Sequence, residues 1–158
     1  MFKWATIAIH NSLYCFLIIA IKGTNISKAM TCNDKANVKP YNILKQKDVQ
    51  VYHMMSLYDQ VKKKRKNKSI IYVGDKRLSS DKERDEKIAE LNETRNMFVH
   101  HEFSIYSILE SNFYDMFRSA IAVIEELMQI NGSIQLSIQD SCGKEKIESL
   151  IKTIKIML

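Results

Sequence analysis

Arg95, Asn96, His100 and His101 bring a permanent cation, an amide and two imidazoles into one short segment, Leu91-Asn92-Glu93-Thr94-Arg95-Asn96-Met97-Phe98-Val99-His100-His101. An imidazole changes charge near neutral pH and can carry a proton, while a guanidinium stays charged and offers a planar set of donors to an anion. Arg followed by His at this distance is a common pairing. With 5 Arg and 4 His in 158 positions and three permitted spacings, chance supplies roughly 0.4 matches, so the surroundings must decide its meaning. On a continuous helix Asn96 and His100 are four apart and share a face, whereas Arg95 and His100 lie about 140° apart. Asn96 can then orient the His100 ring. Arg95 must curl round, or the helix must end near position 99, or a second subunit must complete the site. His101, at the longer spacing, is the alternative proton carrier. The plain structural alternative is that Arg95 pairs with Glu93, Glu102 or a neighbouring helix while the histidines satisfy carbonyls at a helix end.

The elements that would position these groups can be traced from hydropathy. Residues 2–22 read as a helix that is apolar almost all round, with Lys3, Thr6, His10 and Tyr14 on a narrow polar stripe, and such a helix belongs in the middle of a bundle. Gly23-Thr24-Asn25 stops it, and 27–40 is an aperiodic connection. A second helix is expected over 48–66, with Val51, Met54 or Met55, Tyr58 and Val61 recurring every three or four residues. Ser80-Asp81-Lys82-Glu83 is a helix start in which Ser80 caps and Glu83 reaches back. Ile88, Leu91, Arg95 and Phe98 then share one stripe of the third helix, which aims a guanidinium at the core side. That is costly unless the charge meets an anion or opens into a cleft. Residues 103–109 look extended. Residues 112–130 form an amphipathic helix with Phe113, Met116, Phe117, Ala120, Ile124 and Leu127 inward; 133–139 alternate as a short strand could; 144–158 form a last helix with Ile147, Leu150, Ile151 and Ile154 inward.

The whole chain is consistent with one domain. It has 158 residues, 46% hydrophobic, with 1 Pro and 4 Gly, a composition that favours long helices around a single core. Three widely spaced cysteines, Cys15, Cys32 and Cys142, suggest neither a disulfide framework nor a zinc site, and a reducing cytoplasm is the expected compartment. The apolar start is the one segment that resembles a leader. His10, Asn11 and Ser12 interrupt it, the unbroken run 13–21 is short of the roughly 20 residues a span needs, and no small-x-small cleavage site follows. It is read as a core helix, with no membrane partner.

A formal charge of +6 suits a polyanion. Lys62, Lys63, Lys64, Arg65, Lys66 and Lys68 are the candidate RNA contacts, although such a run is equally a solvated face at a helix end. His10 and Asn11 could face a cleft or simply satisfy one another inside the bundle. Val73-Gly74-Asp75-Lys76-Arg77 lacks the glycines and hydroxyl of a phosphate loop, and Glu125-Glu126 has no histidine at metal-ligand spacing.

Arg95-Asn96 followed by His100 resembles the R-x(4 to 6)-H motif of the HEPN superfamily. Phe2-Lys3-Trp4-Ala5, Ile9-His10-Asn11-Ser12-Leu13-Tyr14, Gly23-Thr24-Asn25, Leu91-Asn92, Ser104-Ile105 and Val123-Ile124-Glu125-Glu126-Leu127 are similar to an uncharacterised bacterial HEPN-like group. The likeness covers most of 2–128. It implies a mainly α fold, a bundle of four to five helices over 2–130 with room for one or two short strands; the strand and helix read over 131–158 form an extension outside the likeness. It also implies a metal-independent endoribonuclease of a toxin–antitoxin or phage-defence setting, without cofactor, working as a homodimer on RNA; separately, the apolar faces of the last two helices make an antitoxin-like protein a further candidate partner. In that chemistry an RNA 2′-hydroxyl attacks its neighbouring phosphate, His100 or His101 moves a proton, and Arg95 stabilises charge on the phosphoryl oxygens. Some members of the superfamily have lost catalysis, so a silent RNA- or protein-binding module is the alternative.

Overall fold

A computed structural model describes residues 2–22, 30–31, 50–62, 78–100, 110–130, 134 and 141–157. Five helices are present among them: α1 (Phe2–Lys22), α2 (Met54–Lys62), α3 (Lys82–His100), α4 (Glu110–Ile130) and α5 (Ser141–Met157). Two residue pairs, β1 (Met30–Thr31) and β2 (Gln50–Val51), join antiparallel with Met30 opposite Val51. The protein is a mainly α helical bundle, as its composition and periodicity predict.

α1 is the central element and packs on α2, α3 and α4. Leu13 and Leu17 are fully buried in one core cluster with Leu57 and Tyr58 of α2, Ile88 and Leu91 of α3, and Met116 and Val123 of α4. Each such leucine removes enough apolar surface from water to stabilise the bundle by about 1.5–3 kcal/mol. By length and composition Phe2–Ile21 is also long and apolar enough to cross a membrane, at a mean hydropathy of 1.7. Its polar stripe does not face water. Thr6 and His10 are buried, and the exposed side of α1 is made by Trp4, Ala8, Asn11, Ser12 and Cys15. Thr6 tolerates burial because its hydroxyl donates to the Phe2 carbonyl at 2.9 Å.

Three boundaries differ from the sequence reading. α2 begins at Met54, since Gln50 and Val51 are in β2. α3 is capped by Asp81 and not by Ser80: the Asp81 carboxylate accepts from the Arg84 amide at 3.2 Å, and its carbonyl takes the Asp85 amide at 2.9 Å. A carboxylate at this position adds a charge–dipole attraction that a serine hydroxyl lacks. α4 begins two residues earlier than expected, and all six of its anticipated core positions are buried.

α5 departs most. Ile151 packs on the core, but Leu150 is 62% and Ile154 37% exposed, so the expected inward stripe is only partly covered. Ile134 is helical and fully buried; the rest of the expected strand over 133–139, and the extended reading of 103–109, lie outside the described residues.

Candidate active site between the first and third helices

α3 carries Arg95 on the flank of its core stripe, two turns beyond Ile88, where it turns towards α1. The side chain is half-buried, its Nε is buried without a hydrogen-bond partner, and one terminal nitrogen donates to Asn96 Oδ1 at 3.0 Å. Among the described residues no carboxylate pairs with it. A guanidinium that keeps its stem in the bundle and its tip at the surface satisfies both parts of its character, but one neutral amide is thin compensation for a partly desolvated cation.

Across the seam lies His10, 5% exposed. Its Nε2 is 3.3 Å from Asn92 Oδ1 and its Nδ1 3.4 Å from Asn11 Oδ1. Burial holds the imidazole pKa below its ordinary 6.5, and the nearby Arg95 charge acts the same way, against the two amides that favour protonation. The ring is therefore neutral at pH 7. A neutral ring has one N–H, so one of the two amides must turn its NH₂ to the unprotonated nitrogen; with both carbonyls inward the pair would suit an imidazolium.

His100 ends α3, exposed, one turn beyond Asn96 and on the same side of the helix. The helix runs unbroken through both. Arg95 turns to Asn96 within the protomer, and among the described residues it makes no bond to His100. The expected Asn96 contact to the His100 ring is not made; the Asn96 carbonyl is occupied by Arg95 instead. Arg95 and Asn96 are therefore bonded to one another, and His100 shares the Asn96 side of α3 one turn further on without a bond to either. His101 lies outside the described residues.

Lys62 has a different position from the one expected of an RNA contact. Its ammonium sits 2.5 Å from Asp85 Oδ2 and 4.9 Å from the centre of the Tyr58 ring, which commits the charge to the fold. Lys63, Lys64, Arg65, Lys66 and Lys68 lie outside the described residues. Sequence reasoning missed the role of Asn92. Its position three residues before Arg95 marks it as sharing that side of α3, yet its partner His10 is remote in the chain and nothing local announces it.

Two cavities bounded by described residues lie elsewhere. One, of 430 Å³, separates α4 from α5 between Glu125, Met128, Ile151 and Lys155; the other, of 260 Å³, lies by the start of α3 between Asp81, Arg84, Asp115 and Arg118. Among the described residues no three His, Cys, Asp or Glu side chains cluster as metal ligands would. No family model, characterised protein or solved structure matches the chain.

Proposed function

We propose that this protein is a HEPN-type endoribonuclease that cuts RNA without a metal ion, in a toxin–antitoxin or phage-defence setting. The observation that carries the reading is Arg95: a cation partly withdrawn from water, unpaired with any described carboxylate, and bonded to an amide that lies one turn from an exposed imidazole. A phosphate supplies the charge that this guanidinium lacks. In the reaction, the 2′-hydroxyl of one nucleotide attacks the adjacent phosphorus. The P–O5′ bond breaks, leaving a 2′,3′-cyclic phosphate and a 5′-hydroxyl. His100, with His101 as the alternative, moves the proton, and Arg95 stabilises the negative charge that builds on the phosphoryl oxygens. A second protomer that brings its own copy of this surface alongside would add a second imidazole, one for each proton transfer.

Purified protein incubated with mixed RNA in EDTA tests this. Wild type should cut, while His100→Ala and Arg95→Ala should each lose about 100-fold or more in rate. Intact RNA, or equal cutting by His100→Ala, would sink the proposal. A second reading, a module that binds without cutting, is favoured by the uncovered apolar side of α5, where Leu150, Ile154 and Ile156 are exposed beside the 430 Å³ groove. Such a surface suits a protein partner of the antitoxin kind or a second copy of the chain.

A further inference from the structure

His10 is a buried imidazole to which the proposed reaction gives no part, whereas the other described histidines, His53 and His100, are exposed. It shares its side of α1 with Thr6, Leu13 and Leu17, and burying that side carries the ring inward with them. There its two nitrogens face the side-chain oxygens of Asn92 and Asn11, 3.3 and 3.4 Å away. An amide offers its carbonyl or, after a half-turn, its NH₂, so this pair can serve the ring in either charge state.

α1 and α3 run antiparallel, since His10 meets Asn92 while Phe2 and Phe98 both stack on Phe113. Arg95 is three residues beyond Asn92, about 4.5 Å along α3 and about 60° round it, on the side of the buried Ile88 and Leu91. Its stem therefore runs inward of the His10–Asn92 contact, where its Nε is buried without a partner. Burial is the larger reason that the ring stays neutral, and the Arg95 charge adds to it.

The other charges around the ring are engaged or turned away. α1 contains no acidic residue, and its Lys3 ammonium lies by the Trp4 ring. Tyr14, its ring centre 6.4 Å from that of His10, keeps its proton, because burial raises its pKa and the hydroxyl donates to the Tyr52 carbonyl. α2 brings Leu57 and Tyr58 to the shared core while its Lys62 holds Asp85 and its Asp59 is exposed. α4 brings Phe113 and Met116, and its Asp115, Glu125 and Glu126 pair with Arg118, Lys155 and Arg84. On α3, Glu90 holds Lys87 and Glu93 is exposed.

Of the two forces that keep His10 neutral, burial lasts as long as the bundle stays closed. The Arg95 charge can be answered by a ligand. We infer that Arg95 and His10 form one proton-linked anion site: an anion held by Arg95 brings a proton onto the buried His10 ring, so the site grips anions more tightly as pH falls. The imidazolium then gives one N–H to each amide carbonyl. Linkage is reciprocal, so whatever the anion does for the proton the proton does for the anion. The gain is absent where the ligated ring is neutral and grows as pH falls through its titration. His10 touches Asn92 and not the anion, and is therefore a positioning residue. That the anion is an RNA phosphate rests on the ribonuclease reading; the linkage itself needs only an anion.

Inorganic sulfate tests it, because it stays doubly ionised near neutral pH and every proton taken up then belongs to the protein. The His10 Cε1–H resonance of the full-length chain, identified by its loss in His10→Gln, is followed by NMR against pH with and without sulfate. Sulfate should move the His10 titration to higher pH. In Arg95→Ala the ring should titrate higher than in wild type from the start, and sulfate should not move it. By calorimetry, wild type should bind sulfate about 5-fold or more tighter near pH 5 than near pH 8, with a smaller ratio in His10→Gln. A His10 titration that stays in place under saturating sulfate overturns the inference, as does an equal ratio in wild type and His10→Gln. A His10 response in a protein that leaves RNA intact would remove the nuclease reading and keep the linkage. Cleavage that depends on His100, with an unmoved His10 titration, would do the reverse.

Discussion

Arg84 and Arg95 sit three turns apart on α3, about 20° from one another around the helix, and both bury an Nε that finds no partner. Beyond that atom they part. The Arg84 tip donates to Glu126 at 2.7 Å and to the Ser79 carbonyl and hydroxyl, while Ser79 returns two bonds to the same carboxylate. Beside it Asp85 is shared by Tyr58 and Lys62. Every charge named at that end is answered from within the fold. Among the described residues the Arg95 tip meets only an amide. Two like residues on one face thus differ: one ties α3 to α4, and the other has no carboxylate partner among the described residues. A cation that a fold does not need to neutralise for itself is the one available to a ligand.

The contrast can be broken from either side. The largest effect is expected on activity: Arg95→Ala should cut RNA at least about 100-fold more slowly in a gel assay while its urea midpoint stays close to wild type. A large loss of stability would make Arg95 a second Arg84. Next, Arg84→Ala should lower unfolding free energy by about 2–4 kcal/mol in urea, because Glu126 is left half-buried with its main partner gone, and cleavage by the folded fraction should be unchanged. Tyr58→Phe, which strips one charged hydrogen bond from Asp85, should lower stability by about 1–2 kcal/mol.

Acid distinguishes the two ends by pH window. Burial raises the Asp85 and Glu126 carboxyls, but bonds from Lys62 and Tyr58 to the first, and from Ser79 and Arg84 to the second, outweigh it and hold both below their ordinary 3.8 and 4.5. Their stabilisation is complete above those values and is lost as pH falls through the lower folded ones. His10, also depressed, is neutral when folded; the unfolded chain takes its proton near 6.5, so stability starts to fall below that pH, before the carboxylates respond. Thermal midpoints should show the earlier slope, and His10→Gln should remove it. Smallest of all, Lys82→Ala should leave the urea midpoint unchanged, since Lys82 and Glu86 are 92% and 62% exposed and form only a surface pair at 3.7 Å.

Much of the bundle was legible in advance. The six apolar positions of α4 recur every three or four residues and all six are buried, because a helix that must bury one face writes that face in its period. The same signal misled in α5, where Leu150 and Ile154 have the spacing of a buried stripe and remain exposed. Amphipathicity reports that a face wants cover, not whether the cover comes from this chain. In the candidate site, Arg95 could be seen to lean towards the core and Asn96 to share a side with His100. That Arg95 would take the Asn96 carbonyl, and that His10 would meet Asn92, could not, since each depends on how α1 and α3 lie together.

The sequence alone determined where helices form and, in α2, α3 and α4, which side seeks the interior, because the 3.6-residue repeat is a local property of the backbone. Only the tertiary structure decided which cations are spent on the fold and which are left over. The carboxylates that neutralise Lys62 and Arg84 come from other helices, and a charge pairs with whatever the packing brings within a few ångströms, regardless of its place in the chain.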